Sequence, residues 1–194
     1  MNRMQRLAIP VVAALLVAAS AWADTVDYQK SRIGFTFRQM NVPVEGQFPR
    51  FSASMAFDAA TPEASRVEIE VDLASVDTGS TDGDTEVKRK LWFNVASFPK
   101  AKFTSTAIKP LGGNRYEVAG TLGIKGRSRD LKFPVTLKPE AGGTLIEGGF
   151  PLLRLQFGIG EAQWSDTETV ADEVQVRFRI FASAAVAPGS SKQH

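Results

Sequence analysis

The sequence has no cysteine and a single histidine, His194, at its last position. Without cysteine, a chain forms no disulfide framework and supplies no thiolate nucleophile, Cys-ligated zinc site or iron–sulfur cluster. Because the lone histidine is the last residue, no Ser-His-Asp triad is expected, and one histidine cannot form a metal site built on two histidines. These absences predict a protein with no metal site and no cofactor.

Long apolar runs are also scarce, and the one that stands out lies at the N-terminus. Residues 1–23 contain two arginines, an apolar stretch over Leu7–Ala19 and an A-x-A motif that ends at Ala23. This order is typical of a secretory signal peptide. The apolar stretch is shorter than the roughly twenty residues of a membrane span, and Pro10 interrupts it. The sequence therefore predicts cleavage after Ala23 and a soluble protein exported to the periplasm.

A clear excess of one charge sign is absent too. The full chain has 23 basic and 21 acidic residues, and the predicted signal peptide holds two of the basic residues and no acidic one. The remaining chain is therefore formally neutral, whereas a nucleic-acid-binding protein normally has a basic excess on one face. No nucleic-acid partner is expected. With 43% hydrophobic residues, the composition predicts one domain over residues 24–183, followed by a disordered tail over residues 184–194.

What the chain has in quantity is a two-residue alternation of apolar and polar side chains. In residues 66–73, for example, Val67, Ile69 and Val71 alternate with charged residues. Such alternation predicts strands with one buried face, and glycine-rich turns separate them as in hairpins. Eight strands of this kind indicate an antiparallel sheet closed on itself or two packed sheets. They lie at residues 33–38, 48–57, 66–73, 102–108, 115–124, 131–138, 144–150 and 174–181.

One segment departs from this period. Residues Asp82–Trp92 begin with acidic side chains and end with basic ones, the charge order that a helix dipole favours. Val87 and Leu91 are four residues apart and share one helix face. Ser80 or Thr81 is placed to cap the start. The sequence predicts a helix here whose apolar face covers or fills one end of the sheet.

The order and spacing of several short motifs are more specific than any one of them. The motifs are SRIGFTFR at 31–38, VEGQF at 44–48, FPKAKFTST at 98–106, GTLGIKG at 120–126, LQFGIG at 155–160 and DEVQVRF at 172–178. Over residues 25–183 they resemble the YceI-like family of periplasmic polyisoprenoid- and lipid-binding proteins. That family often has a histidine where this chain has Lys30, so no role of that histidine is carried over. The resemblance implies an all-β fold, an extended lipocalin-like antiparallel eight-stranded β-barrel with one short α-helix.

The resemblance also implies a function for the barrel interior. An eight-stranded barrel is either just filled by its side chains or holds one slender ligand, and composition alone favours a packed core. The elongated apolar tunnel of the family favours the second alternative, with a long-chain lipid such as an isoprenoid quinone or a polyprenyl phosphate as ligand. The side chains expected to contact it are Phe35, Phe37, Phe57, Val67, Ile69, Leu91, Trp92, Phe103, Tyr116, Val118, Phe133, Val135, Trp164 and Phe178.

Three cations, Lys125, Arg127 and Arg129, cluster at a predicted hairpin turn. They are candidates to contact a lipid head group or, transiently, an anionic membrane surface; the simpler interpretation is a solvated hairpin tip. Strand carboxylates such as Glu68 and Glu117 alternate outward, so paired-carboxylate catalysis is not expected. The sequence therefore predicts a binding protein and not an enzyme. The alternative is an accessory subunit with a filled core, and an unpaired strand edge would support a homodimer.

Overall fold

The computed structural model describes residues 25–58 and 61–183. The predicted signal peptide, its cleavage site and the predicted disordered tail lie outside these residues. The described residues form nine strands and one α-helix. They are β1 (Thr25–Gln39), β2 (Val42–Gln47), β3 (Phe51–Ala56), β4 (Arg66–Asp72), α1 (Thr81–Val87), β5 (Lys100–Gly112), β6 (Arg115–Ile124), β7 (Arg127–Glu140), β8 (Gly143–Leu153) and β9 (Glu173–Ser183).

All nine strands belong to one antiparallel sheet, in the order β2-β1-β9-β8-β7-β6-β5-β4-β3. Its two edge strands, β2 and β3, follow each other in the chain and are separated only by residues 48–50. The sheet curls until β1 approaches the edge strand β3: Ala53 N of β3 donates to Tyr28 Oη of β1 at 3.4 Å. Nearby, the Tyr28 ring packs edge-on against Phe51 of β3, with 5.5 Å between ring centroids. The predicted all-β, lipocalin-like antiparallel barrel with one short α-helix is thus confirmed.

The described sheet has nine strands where eight were predicted, because β2 escapes the alternation pattern. Its sequence VPVEGQ contains Pro43 and Gly46, and both residues weaken the signal of a strand. A proline is tolerated there since β2 is an edge strand that pairs only with β1, where Pro43 stands opposite Arg38. The prediction of eight strands was therefore wrong by one edge strand.

The helix is shorter than predicted. It begins after the N-cap Ser80, whose Oγ accepts a hydrogen bond from Gly83 N at 3.4 Å, and it ends at Val87 instead of Trp92. After Val87 the chain turns, and Phe93 N donates to Val87 O at 3.0 Å. This turn allows Trp92 to pack into the core, where its side chain is only 8% exposed. Burial of the indole is therefore favoured over continuation of the helix that the charge order predicted. No helix in the described ranges has the length and apolar character needed to cross a membrane.

The two ends of the barrel are covered differently. The long connections 73–99 and 154–172 lie at one end, which we call the capped end, and they meet where Gly160 N donates to Leu91 O at 2.8 Å. The opposite end, which we call the hairpin end, has the tight turns at 113–114 and 141–142, whereas the β1–β2 and β6–β7 turns lie at the capped end. The sheet therefore encloses an interior that is closed most heavily at the capped end.

Candidate ligand-binding cavity

A cavity of about 250 Å³ lies inside the barrel. Side chains of the strands and of the two capping connections form its wall, and the surface that this wall offers to a ligand is entirely apolar. A dry apolar cavity of about 150 Å³ suffices for one benzene ring, so the volume found here corresponds to about ten carbon atoms. The barrel is therefore hollow, with free space for about two isoprene units.

The structure places most of the side chains predicted for the interior at this wall. Leu91 and Trp164 are the exceptions, since both pack against the apolar core without lining the cavity. Leu91 lies beyond the end of the helix and so no longer shares a face with Val87, which does line the cavity. The predicted residues found at the wall are Phe35, Phe37, Phe57, Val67, Ile69, Trp92, Phe103, Tyr116, Val118, Phe133, Val135 and Phe178.

Three aromatic rings of the wall lie over glycines of neighbouring strands. On β5 and β6, a methyl group added to Gly120 would lie only 2.4 Å from Cζ of Phe103. The ring thus occupies the space that a side chain on the neighbouring strand would need. It lies against the sheet instead of across the lumen, and the glycine helps to keep the barrel hollow. The ring–glycine pairs are Phe35–Gly46, Phe103–Gly120 and Phe178–Gly148.

A buried arginine organises the capped end. Arg154 is 2% exposed and stands at the start of the connection from β8 to β9. Its five N–H groups donate to five backbone carbonyls at 2.6–3.0 Å, which uses every donor of the guanidinium. Arg154 therefore holds this connection against the end of the barrel and has no donor left for a ligand. The acceptors are the carbonyls of Ile159, Gly160, Trp164, Val170 and Ala171.

The charge of Arg154 is compensated only from a distance. Within the described ranges no carboxylate forms an ion pair with it. Burial lowers the pKa of Arg154, and the attraction of Asp172 opposes this shift. The Asp172 carboxylate itself accepts a hydrogen bond from Leu155 N at 2.9 Å. Because an arginine stays protonated, a positive charge remains under the apolar wall of the capped end.

Two indole N–H groups at the capped end have no partner. Nε1 of Trp92 and Nε1 of Trp164 are both buried, and neither forms a hydrogen bond within the described residues. The rings are neighbours, with centroids 5.4 Å apart and planes inclined at 54°. Of the two, only Trp92 lines the cavity. Trp92 therefore contributes apolar ring surface to the wall, and its unused hydrogen-bond donor is buried behind that surface.

The three cations predicted as a head-group contact bind to the protein itself. Lys125 Nζ donates to Glu161 Oε2 and Arg127 Nη2 donates to Glu161 Oε1, both at 3.0 Å. Arg129 donates to two backbone carbonyls at 2.8 and 3.1 Å. These bonds join the β6–β7 hairpin to the connection between β8 and β9. A head group would have to displace Glu161 in order to reach Lys125 or Arg127.

The wall at the hairpin end includes two half-buried aromatic side chains. Phe57 and Tyr116 line the cavity there and pack edge-on, with 5.3 Å between ring centroids. Both side chains are half-buried, as are Val87 and Phe93, which line the cavity from the capping connection 73–99. Half-buried side chains therefore border the cavity at both ends.

Sequence reasoning missed Arg154 and several aromatic side chains of the wall. Arg154 follows Leu152 at the two-residue period of β8, and both are buried. An arginine at an inward position of an apolar run was the available signal. Phe48 and Phe93 line the cavity from irregular segments, where no alternation shows which way a side chain faces.

Comparison with solved structures places the fold among known ones. BcnA of Burkholderia cenocepacia is 40% identical, with a TM-score of 0.79 over 82% of this chain and 100% of that chain. A polyisoprenoid binding domain from Saccharophagus degradans, 16% identical, shares the fold with a TM-score of 0.66 over 84% of this chain and 98% of that one.

Comparison with related sequences identifies the family of the chain. A UPF0312 protein of Pseudomonas savastanoi pv. phaseolicola is 33% identical over 115 residues, which are 59% of this chain and 57% of that protein. The chain thus spans little more than half of the length of this relative. A UPF0312 protein of Azotobacter vinelandii is 32% identical over 140 residues, 69% of this chain and 70% of that protein. Residues 25–182, nearly the whole described barrel, match the YceI-like domain, and the chain therefore belongs to the YceI-like family.

Proposed function

We propose that this chain binds a long-chain apolar lipid, such as an isoprenoid quinone or a polyprenyl phosphate, in the cavity of the barrel. The observation that carries the proposal is the hollow of about 250 Å³ with an entirely apolar accessible wall. Ordinary protein cores contain few voids larger than a water molecule, and an apolar cavity of this size stays dry and takes up hydrocarbon. The structural similarity to a domain named for polyisoprenoid binding supports the same ligand class.

Burial of a hydrocarbon chain supplies the affinity for such a ligand. Each methylene group removed from water contributes about 0.8 kcal/mol, so ten carbon atoms contribute about 8 kcal/mol. Association costs on the order of 4–15 kcal/mol. Two isoprene units alone are therefore expected to bind weakly. A longer chain gains more by extending toward the hairpin end, where Phe57 and Tyr116 are half-buried.

The proposed setting is the periplasm, to which the predicted signal peptide at residues 1–23 would direct the chain. An exposed isoprenoid chain is unfavourable in an aqueous compartment, so its transfer or storage there needs a protein with an apolar interior. We infer a carrier or sequestering role with transient membrane contact during loading. The described lining residues include no carboxylate and no histidine, which supports binding in preference to catalysis.

Extraction of the purified protein with organic solvent, followed by mass spectrometry, tests the proposal. We expect a co-purified isoprenoid lipid and, after its removal, saturable uptake of one quinone or polyprenyl phosphate molecule per chain. A lipid-free extract from a protein that also takes up neither lipid would contradict the proposal. That result would favour an accessory subunit that acts through its outer surface.

A pair of tryptophan substitutions on β5 tests whether the ligand occupies the cavity. Phe103 lines the cavity and is 8% exposed, whereas Leu111 on the same strand is 47% exposed. Phe103→Trp enlarges a side chain of the wall and is expected to weaken lipid uptake about tenfold, and Phe103→Asp is expected to abolish it. Leu111→Trp is the matched control that leaves uptake unchanged. Normal uptake by folded Phe103→Trp and Phe103→Asp variants, checked by circular dichroism, would place the ligand elsewhere.

A further inference from the structure

The unpaired indole N–H of Trp92 bears on how the ligand is oriented. The side chain is 8% exposed and lines the cavity, and its Nε1 is buried without a hydrogen-bond partner in the described residues. A buried tryptophan N–H usually finds a partner, and an unsatisfied donor in a folded protein calls for an explanation. A ligand with an acceptor atom at this end of the cavity would satisfy it.

The environment of Arg154, the charged residue nearest to Trp92, indicates which chemical class of acceptor would fit there. The guanidinium of Arg154 lies 5.6 Å from the centre of the Trp92 ring, but all its donors are used by backbone carbonyls. A phosphate would leave water for an apolar wall and find no free charged donor there. Attraction to a distant guanidinium does not replace the hydrogen bonds that an ion loses on burial. A neutral carbonyl oxygen loses far less and is satisfied by a single N–H donor.

We propose, on the basis of the lipid-binding function inferred above, that Trp92 Nε1 donates a hydrogen bond to a neutral carbonyl oxygen of the ligand. The carbonyl-bearing end then lies at the capped end, and the isoprenoid chain extends toward the hairpin end. Because Nε1 is buried, this hydrogen bond requires the indole to turn toward the cavity. Trp92 thus selects a quinone-like head group over a phosphate.

Three probes of similar chain length and two variants test this assignment by calorimetry. The probes are geranylacetone, which is a ketone with two isoprene units, the hydrocarbon in which its carbonyl is a methylene, and geranyl phosphate. Trp92→Phe removes the N–H and keeps an aromatic ring at the wall. Trp164→Phe is the matched control, because its N–H is also unpaired but its side chain does not line the cavity.

We expect Trp92→Phe to weaken ketone binding about tenfold, the equivalent of one neutral hydrogen bond, and to change hydrocarbon binding by less than about twofold. Retained hydrocarbon binding shows that the cavity of the variant is intact. Trp164→Phe is expected to change the binding of both probes by less than about twofold. The wild-type protein is expected to bind the ketone more tightly than the phosphate.

The assignment is overturned if Trp92→Phe leaves the ratio of ketone to hydrocarbon affinity unchanged, or if Trp164→Phe reduces that ratio more than Trp92→Phe does. Tighter binding of geranyl phosphate than of the ketone by the wild-type protein overturns it as well. Hydrocarbon binding by the wild-type protein distinguishes failure of the Trp92 assignment from failure of the lipid-binding proposal. If the hydrocarbon binds and the ratio does not depend on Trp92, only the assignment of Trp92 fails, whereas absence of binding by all three probes and by a quinone with a long isoprenoid chain refutes both.

Discussion

The guanidinium of Arg154 lies 5.6 Å from the centroid of the Trp92 ring, within the range of a cation–π contact. Trp92 belongs to the connection between β4 and β5, and Arg154 begins the connection between β8 and β9. The two connections that cover the capped end are therefore packed on each other through a buried charge and an indole. A Cβ at Gly160 would lie 2.2 Å from Nη1 of Arg154, so a side chain there is excluded.

Replacement of Arg154 is expected to destabilise the protein strongly. Arg154→Met leaves five buried or partly buried carbonyls without their donor, which predicts a loss of about 3–5 kcal/mol in the free energy of unfolding. Arg154→Lys restores only part of this loss, because an ammonium group has three donors and no planar fork. Urea titration measures both variants. Arg127→Met removes an exposed ion pair and serves as the control, with an expected loss below about 1 kcal/mol in the free energy of unfolding. Equal losses for Arg127→Met and Arg154→Met would contradict the role of Arg154 in holding the connection between β8 and β9.

Gly120 is expected to be essential for the hollow interior. A methyl group there would lie 2.4 Å from Cζ of Phe103 and 2.5 Å from the backbone oxygen of Thr104, so the ring has to move toward the lumen. Gly120→Ala is expected to lower the free energy of unfolding by about 1–3 kcal/mol and to reduce lipid uptake. Gly123→Ala on the same strand is the control, because its nearest atoms would be 3.6 and 3.8 Å away. Similar stability and uptake for the two variants would show that the ring–glycine contact does not shape the cavity.

Stability is expected to depend on pH through Glu161. The hydrogen bond from Lys125 is the main reason that the pKa of Glu161 lies below its ordinary value of 4.5; partial burial opposes the shift and attraction by Arg127 adds to it. Since the folded pKa is lower than the unfolded one, this carboxylate stabilises the protein above pH 4.5 and loses that contribution as the pH falls through the folded pKa. Denaturant titrations between about pH 7 and pH 3 cover this loss. The free energy of unfolding is expected to decline less over this range for Glu161→Gln than for the wild type. Parallel curves would show that the carboxylate contributes nothing to this decline.

The length of the ligand chain is expected to affect affinity in two regimes. The free volume of the cavity holds about ten carbon atoms, so affinity is expected to rise steeply from one to two isoprene units. Longer chains have to displace side chains at the hairpin end, which makes the gain for each further unit smaller. Calorimetry with a series of isoprenoid alcohols of one to four units measures this slope. A constant gain across the series would indicate a cavity that already extends to solvent.

Strand positions were largely predictable from the sequence, because the face of a strand to which a residue belongs depends only on a two-residue period. On that basis four side chains were expected at the interior and are found at the cavity wall: Val67, Ile69, Val118 and Phe133. The same argument failed for β2, an edge strand that tolerates proline. It also failed for Leu91, since the helix ends early to bury Trp92.

The sequence by itself determined that the chain contains no cysteine and is an all-β protein with an apolar interior, because composition and alternation are local properties. Only the tertiary structure decided that the interior is hollow. Free volume depends on which ring lies over which glycine across neighbouring strands, as Phe103 does over Gly120. The structure alone also showed that Arg154 holds the capped end and that the Trp92 N–H is unpaired. Both properties depend on partners that are distant in sequence, and packing alone brings those partners together or leaves them apart.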